Sequence, residues 1–252
     1  MKKTAIIFSL LIFSLLGISA QNNDSENKNR IVTEEREVDN FDKIEVRGRF
    51  EIKLTQQENT AVTVAAHEKY LPLIETYVEN GTLVVQMKEP DKDKGFFDKL
   101  KEKYSDYMKA QRFEVNIGIK DLKSVKLSGA SALSAKNTFK LEDIYFDISG
   151  ASKVTMNLAL HNLTADISGA SSVTFSGTAK NTSVAVSGAS ALKMGELKSN
   201  TSIALVSGAS SATVYASEKF TGKASGASAI HCHGNPKDVE RDVSGASKID
   251  MK

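Results

Sequence analysis

The sequence has no tryptophan, a single cysteine and three prolines in 252 residues. One cysteine excludes a disulfide framework and any cysteine-rich metal site. Charge of one sign is also missing. There are 33 basic against 31 acidic side chains, so the footprint of a nucleic-acid binder is absent. Beyond residue 20 no apolar run approaches the length needed to span a bilayer. What is present is unevenly spread. Charged residues are dense between Asn22 and Leu127, whereas Ser, Ala, Gly and Thr dominate from Ser128 to Lys252. The length suits one or two domains with a large core.

The N-terminus reads as an address. Lys2 and Lys3 precede an apolar run from Ala5 to Leu16, followed by Gly17, Ile18, Ser19 and Ala20. This is the order of a secretory signal peptide over 1–20. Cleavage after Ala20 removes two lysines and leaves a near-neutral chain with no second membrane segment. The expected destination is the periplasm, the outer cell surface or the medium. Residues 21–37 are polar and read as a flexible leader, and 38–252 as the folded domain.

That domain carries a repeat. Ser-Gly-Ala-Ser occurs seven times, with glycines at Gly129, Gly150, Gly169, Gly188, Gly208, Gly226 and Gly245, spaced 21, 19, 19, 20, 18 and 19 residues apart. A fixed period near 20 is the signature of a solenoid. Around most copies apolar residues alternate, as in Phe146 and Ile148 before one corner and Val154 and Met156 after it. Period-two alternation predicts strands with one face buried, and no repeat has room for a helix of ordinary length. The fold class is therefore all-β: a right-handed parallel β-helix of about 19–20 residues per coil. Seven coils would make a column roughly 34 Å long. At each corner Gly supplies the sharp turn. Ala is expected on the inside of the corner, with Ser hydroxyls bonding neighbouring backbone.

Two further segments complete the organisation. Residues 38–92 read as irregular β coils or a cap, because Ile44, Val46, Gly48, Ile52 and Leu54 match Val125, Leu127, Gly129, Leu133 and Ala135 position for position. Between 93 and 112, Phe97, Leu100, Tyr104, Tyr107 and Met108 recur at helical spacing, predicting an inserted amphipathic helix near 94–111 packed on the column. Regular coils fill 113–252.

Three constellations are candidates for chemistry. Cys232 shares an inward column with Ala135, Met156, Phe175, Met194, Val214 and Met251, which turns His231 and His233 outward, with Asp250 one coil away. These three are candidate metal ligands. Two imidazoles do not make a zinc site, and surface histidines are the plainer reading. Asp147 and Asp166 stack on adjacent coils about 5 Å apart, near the separation of retaining glycosidases. No Arg or Tyr is expected beside them, so a polysaccharide-active enzyme is the alternative and no catalytic residue is assigned. The outward face after each corner carries small and polar side chains, with Thr155, Thr174, Lys193, Thr213 and His231 as the candidate binding face. A glycan or a surface protein is the expected partner, and no cofactor is implied. The strand at 248–252 is expected to be an uncapped edge open to self-association, with Lys248, Asp250 and Lys252 limiting it.

The SGAS corners, the FDKIEVRG stretch at 41–48 and the GNP tripeptide at 234–236 resemble the family called putative auto-transporter adhesin, head GIN domain. The resemblance covers about residues 38–252. It implies an exported β-helix protein of Bacteroidetes-type bacteria with no catalytic residues to carry over, so a non-catalytic adhesin or surface-binding scaffold of the cell envelope is expected.

Overall fold

The computed structural model describes residues 30–68, 70–88 and 113–252. The signal peptide and the helix expected near 94–111 lie outside the described residues. Among those described there is no α-helix, only a one-turn 3-10 helix at Leu71–Leu73. The rest is an all-β solenoid of about seven turns.

Each coil has two strands separated by the corner and closed by a looser return bend. The sheet before the corner stacks β2 (Lys43–Gly48), β8 (Ser124–Gly129) and β10 (Phe139–Ile148) in parallel register. It continues through the later halves of β11 (Lys153–Ile167), β12 (Ser172–Val186) and β13 (Ala191–Val206) to β15 (Lys219–Ala224) and β17 (Asp238–Val243). The sheet after the corner stacks β3 (Phe50–Gln56), β9 (Ala132–Ala135) and the early halves of β11, β12 and β13. It ends in β14 (Ser211–Tyr215), β16 (Ala229–His233) and β18 (Lys248–Met251). Side chains that alternate inward fill the space between the sheets. Phe50, Phe146, Phe175 and Phe220 are fully buried, and Phe146 and Phe175 meet across it at 4.8 Å between ring centroids. Burying each such ring is worth about 3 kcal/mol.

The corner explains the tetrapeptide. All seven repeated glycines have positive φ, from +70° to +95°, where a side chain would be strained. They also stack. A Cβ on Gly150 would lie 2.2 Å from the carbonyl oxygen of Gly129, and one on Gly169 would lie 2.4 Å from that of Gly150. Each of these carbonyls accepts the Ala N–H of the next coil, at 2.7 Å for Ala151 and Ala170. Gly48 begins the ridge, since Ala130 donates to its carbonyl at 2.8 Å and Gly48 pairs with Gly129. Arg47-Gly48-Arg49-Phe50 is thus an eighth, degenerate corner.

The expected positions of Ala and Ser in the corner are reversed. Ala151, Ala170, Ala189 and Ala209 are exposed, while the second Ser of each copy from Ser131 to Ser228 is buried. The reason is hydrogen-bonding capacity. A carbonyl oxygen accepts twice, and at Gly48, Gly150 and Gly169 the Gly carbonyl takes the buried Ser hydroxyl as well as the Ala N–H, while Ser152, Ser210 and Ser228 donate to other carbonyls beside the corner. Ser131 donates to Gly48 at 3.0 Å and Ser190 to Gly169 at 3.3 Å. A buried hydroxyl so partnered carries no desolvation penalty that alanine would avoid.

The N-terminal end is built differently. β6 (Thr82–Met87) lies parallel beside β2, and β7 (Phe113–Ile119) parallel beside β3. Three strands then reverse direction: β5 (Ile74–Glu79) on β6, β4 (Ala61–His67) on β7, and β1 (Ile31–Glu35) on β4. Of the flexible leader expected over 21–37, residues 21–29 lie outside the described residues, and Ile31–Glu35 form β1, a five-residue strand in register with Thr63–His67. Its alternation, Val32 and Glu34 half-buried between exposed neighbours, is faint because Thr, Glu and Glu supply most of it.

Candidate functional site

The five residues of the candidate binding face stand in one straight ladder. Register runs Lys53, Ser134, Thr155, Thr174, Lys193, Thr213, His231, Asp250 across successive coils after the corner. Each pair faces outward because the residues on either side, such as Val154 and Met156, face the core. Among the described residues the side chains of Thr155, Thr174, Lys193 and Thr213 have no hydrogen-bond or ion-pair partner. The ends differ. Lys53 is bonded to Glu114, which raises the lysine and lowers the carboxyl. At the other end Lys248 holds Asp250 at 3.0 Å, lowering its carboxyl below the usual range through that hydrogen bond.

Beside this ladder lies a feature that the repeat alone did not disclose. Register between β12 and β13 shifts after Thr174, where Ser176 pairs with Glu196 rather than Gly195. The extra residue is a bulge. A Cβ on buried Gly195 would sit 3.1 Å from both His233 Nδ1 and Thr213 Cγ2. The glycine thus lets the imidazole of His233 fold down over the sheet. Tyr215 pairs with His233, and Lys198 Nζ stands 4.3 Å from the centroid of the Tyr215 ring. The result is a patch of imidazole, phenol and ammonium adjoining Thr213. Its signal in the sequence is the 20-residue spacing between Gly188 and Gly208, one longer than the two coils before it.

The histidines do not gather a metal set. Cys232 is fully buried, and burial pushes its thiol up to about 11, so it is a small core hydrophobe. His231 Nδ1 is 3.2 Å from Asp250 Oδ2 but is not aligned as a hydrogen bond. Among the described residues no group of three or more His, Cys, Asp or Glu could hold a metal ion.

The face before the corner pairs many of its charged groups within itself, while the outward Thr164, Ser183 and Thr221 have no side-chain partner among the described residues. Asp147 and Asp166 are in register, as the spacing requires. Each has its own neighbour: Lys126 lies 3.6 Å from Asp147, and the Tyr145 hydroxyl donates to Asp166 at 2.7 Å. The expectation that no tyrosine accompanies the pair is therefore corrected. Tyr145 lies two residues before Asp147 on the same outward parity. Donation to Asp166, burial and the two carboxylates hold Tyr145 at about 12, above its ordinary 10.0. That shift is opposite to what a general base needs. Farther along the same face Ile203 is 39% and Leu205 45% exposed. A shallow groove of about 300 Å³ runs there, lined by Ala185, Leu205, Lys223 and Asp242 beside the corner serines. Both parities of Ile203-Ala204-Leu205-Val206 are apolar, so alternation does not mark the outward pair.

A comparison with curated proteins returns no match. Solved structures do match. A putative adhesin from Bacteroides fragilis is 19% identical, with a TM-score of 0.79 over 90% of this chain and 99% of its own. A putative lipid binding protein from Parabacteroides distasonis is 18% identical with a TM-score of 0.68, over 90% and 98%. A putative adhesin from the same organism is 17% identical with a TM-score of 0.66, over 90% and 98%. At these identities the likeness is one of fold, and it extends through both the antiparallel end and the coils. Residues 40–236, from the first strand of the column to the GNP tripeptide, match the family described as putative auto-transporter adhesin, head GIN domain, and the chain belongs to that family.

Proposed function

We propose that this protein is an exported, non-catalytic cell-envelope scaffold that binds glycan through the face after the corner. The observation that carries the reading is the ladder Thr155–Thr174–Lys193–Thr213, four consecutive side chains in register without partners among the described residues. Unpaired hydroxyls and an ammonium spaced at about 4.8 Å suit an extended polyhydroxyl chain, which offers donors and acceptors in succession. The Tyr215–His233–Lys198 patch adds an aromatic edge at one end of the ladder. Right-handed coiling is favoured by strand twist and crossover geometry and keeps the ladder on one continuous face. The 1–20 segment supplies export, and the similar proteins named as adhesins agree with an outward-facing role.

A second reading has its own observation. Ile203 and Leu205 form an exposed aliphatic strip on the opposite face, beside the 300 Å³ groove. Such a strip fits a protein partner. Polysaccharide cleavage through Asp147 and Asp166 has less support, because both carboxylates are engaged.

Binding of the exported chain to arrayed polysaccharides and to intact bacterial surfaces tests the proposal. Saturable glycan binding without release of shorter sugars is the expected result. Binding to protein ligands alone favours the second reading, and cleavage abolished by Asp147→Asn overturns the non-catalytic assignment.

A further inference from the structure

The last coil differs from every other described coil in its exposure. β17 pairs only with β15, and β18 only with β16, so each leaves its far edge unpaired among the described residues. All six residues of β17 are exposed, including Val239 at 39% and Val243 at 47%, which continue the inward columns of Phe220 and Ala224. Ile249 and Met251 of β18 are only partly buried. The two edges carry unlike charge. The outward residues of β17 are Asp238, Glu240 and Asp242, while those of β18 are Lys248 and Asp250, with Lys252 directly after it on the same parity.

We propose that two copies of this chain join tail to tail through this coil, with β17 of each pairing antiparallel to β18 of the other. The corner makes the geometry specific. A twofold axis parallel to the plane of the coil, half an inter-strand spacing beyond it and level with Gly245, lays the arm before the corner over the arm after it, with strand directions opposed. Parity then fixes the register, because outward residues must meet outward residues. Centred on Gly245, Asp242 faces Lys248 and Asp238 faces Lys252 of the second copy, and Glu240 faces Asp250, whose charge Lys248 already offsets at 3.0 Å. Inward, Val239 meets Met251 and Arg241 meets Ile249. The alternative of β17 on β17 opposes six carboxylates and is disfavoured by like charge. The interface is isologous, so each favourable pair occurs twice.

Two features keep the association reversible. Asp238 is already held by Lys219 at 2.8 Å, and Asp242 loosely by Lys223 at 4.0 Å. Arg241 stands at an inward position, above Ala204 and Gly222 in its column. A charge on the inward side of an edge is a common restraint on strand pairing.

Sedimentation of the exported chain over a range of concentration tests the proposal. A reversible monomer–dimer equilibrium, weakened by salt, is expected. Asp242→Lys or Lys248→Asp alone weakens the dimer roughly tenfold, because the pair occurs twice. The two together restore it to within about twofold. Arg241→Val tightens it. Unfolding curves establish that each variant is folded. A monomer at every concentration overturns the proposal, as does a dimer indifferent to both single reversals or a double variant that stays weakened. Crosslinking from position 252 to a different envelope protein, and not to a second copy, also overturns it.

Discussion

The two outward faces of the column are made by the same coils, yet they are finished differently. Before the corner most of the ladder's charged groups are paired, although Thr164, Ser183 and Thr221 are not. Lys126 meets Asp147, Tyr145 meets Asp166, Lys223 meets Asp242, and the gap between these pairs is filled by Ala185, Ile203 and Leu205. After the corner, Thr155, Thr174, Lys193 and Thr213 stand in line with no side-chain partner among the described residues. Both faces are equally compatible with a stacked coil, because coil stability resides in the inward columns and the corner. What distinguishes them is therefore a property of ligand contact. A face whose charged groups are paired internally and whose hydroxyls are interrupted by Ile203 and Leu205 offers less to a polar chain, whereas a continuous unpartnered ladder loses only water on binding one.

The corner is the element that both faces share, so damage there has the largest effect. In Gly169→Ala a Cβ meets the Gly150 carbonyl oxygen 2.4 Å away at φ +76°. Thermal unfolding is expected to show a loss of about 2 kcal/mol or more, with both faces affected together. Gly245→Ala, in the coil of β17 and β18, has its nearest atom at 2.8 Å. It is expected to cost less, and equal losses at the two sites would show that stacking distance does not govern the corner.

Next in size is the buried serine. Ser171 receives the N–H of Ser152 at 3.4 Å and donates to Gly150. Ser171→Ala should cost about 1 kcal/mol, while Ala170→Ser, on the exposed side of the same corner, should leave stability within about 0.5 kcal/mol. Chemical denaturation of the two variants side by side reads the difference, and the reverse order would restore alanine to the inside.

The faces separate in smaller effects. On the face before the corner, the Tyr145 proton is held more tightly in the folded chain than in the unfolded one. Its stabilising contribution is complete below the ordinary value of 10.0 and is lost as pH rises through about 12. Stability measured across that interval should fall, and Tyr145→Phe should remove that part of the fall while changing neutral-pH stability by less than about 0.5 kcal/mol. On the open face, Thr174→Val should change stability by no more than about 0.5 kcal/mol at any pH between these limits. A larger loss there would reveal an internal partner for the ladder.

Much of this was legible in the sequence because the repeat is strict. Seven identical corners fix which residues share a column, so Thr155, Thr174, Lys193, Thr213 and His231 could be aligned without coordinates. The inward place of Cys232 followed from the same register. Reading failed where the chain departs from repetition. Ala and Ser are both small, and the spare acceptor capacity of the carbonyls at the corner decides which turns inward. β1 lacks strong alternation and is held by β4, a partner that follows it by 28 residues at its closest pairing, Glu35 with Thr63, only when the cap is assembled. Tyr145 and the outward Ile203 and Leu205 have the right parity to be found, but apolar and aromatic residues on an outward position look like core until the register is applied. The Gly195 bulge announces itself only as one extra residue between two corners.

The assignment of ligand contact to the open face is tested most directly by measuring glycan affinity in two variants, one per face. Lys193→Ala with Thr213→Ala removes two rungs of the ladder, and Ile203→Ser with Leu205→Ser removes the aliphatic strip. The first pair is expected to lose roughly tenfold or more in affinity, and the second to bind as the parent does. Affinity unchanged by the ladder variant and lost in the aliphatic one would contradict the assignment and move the binding surface to the other side of the column.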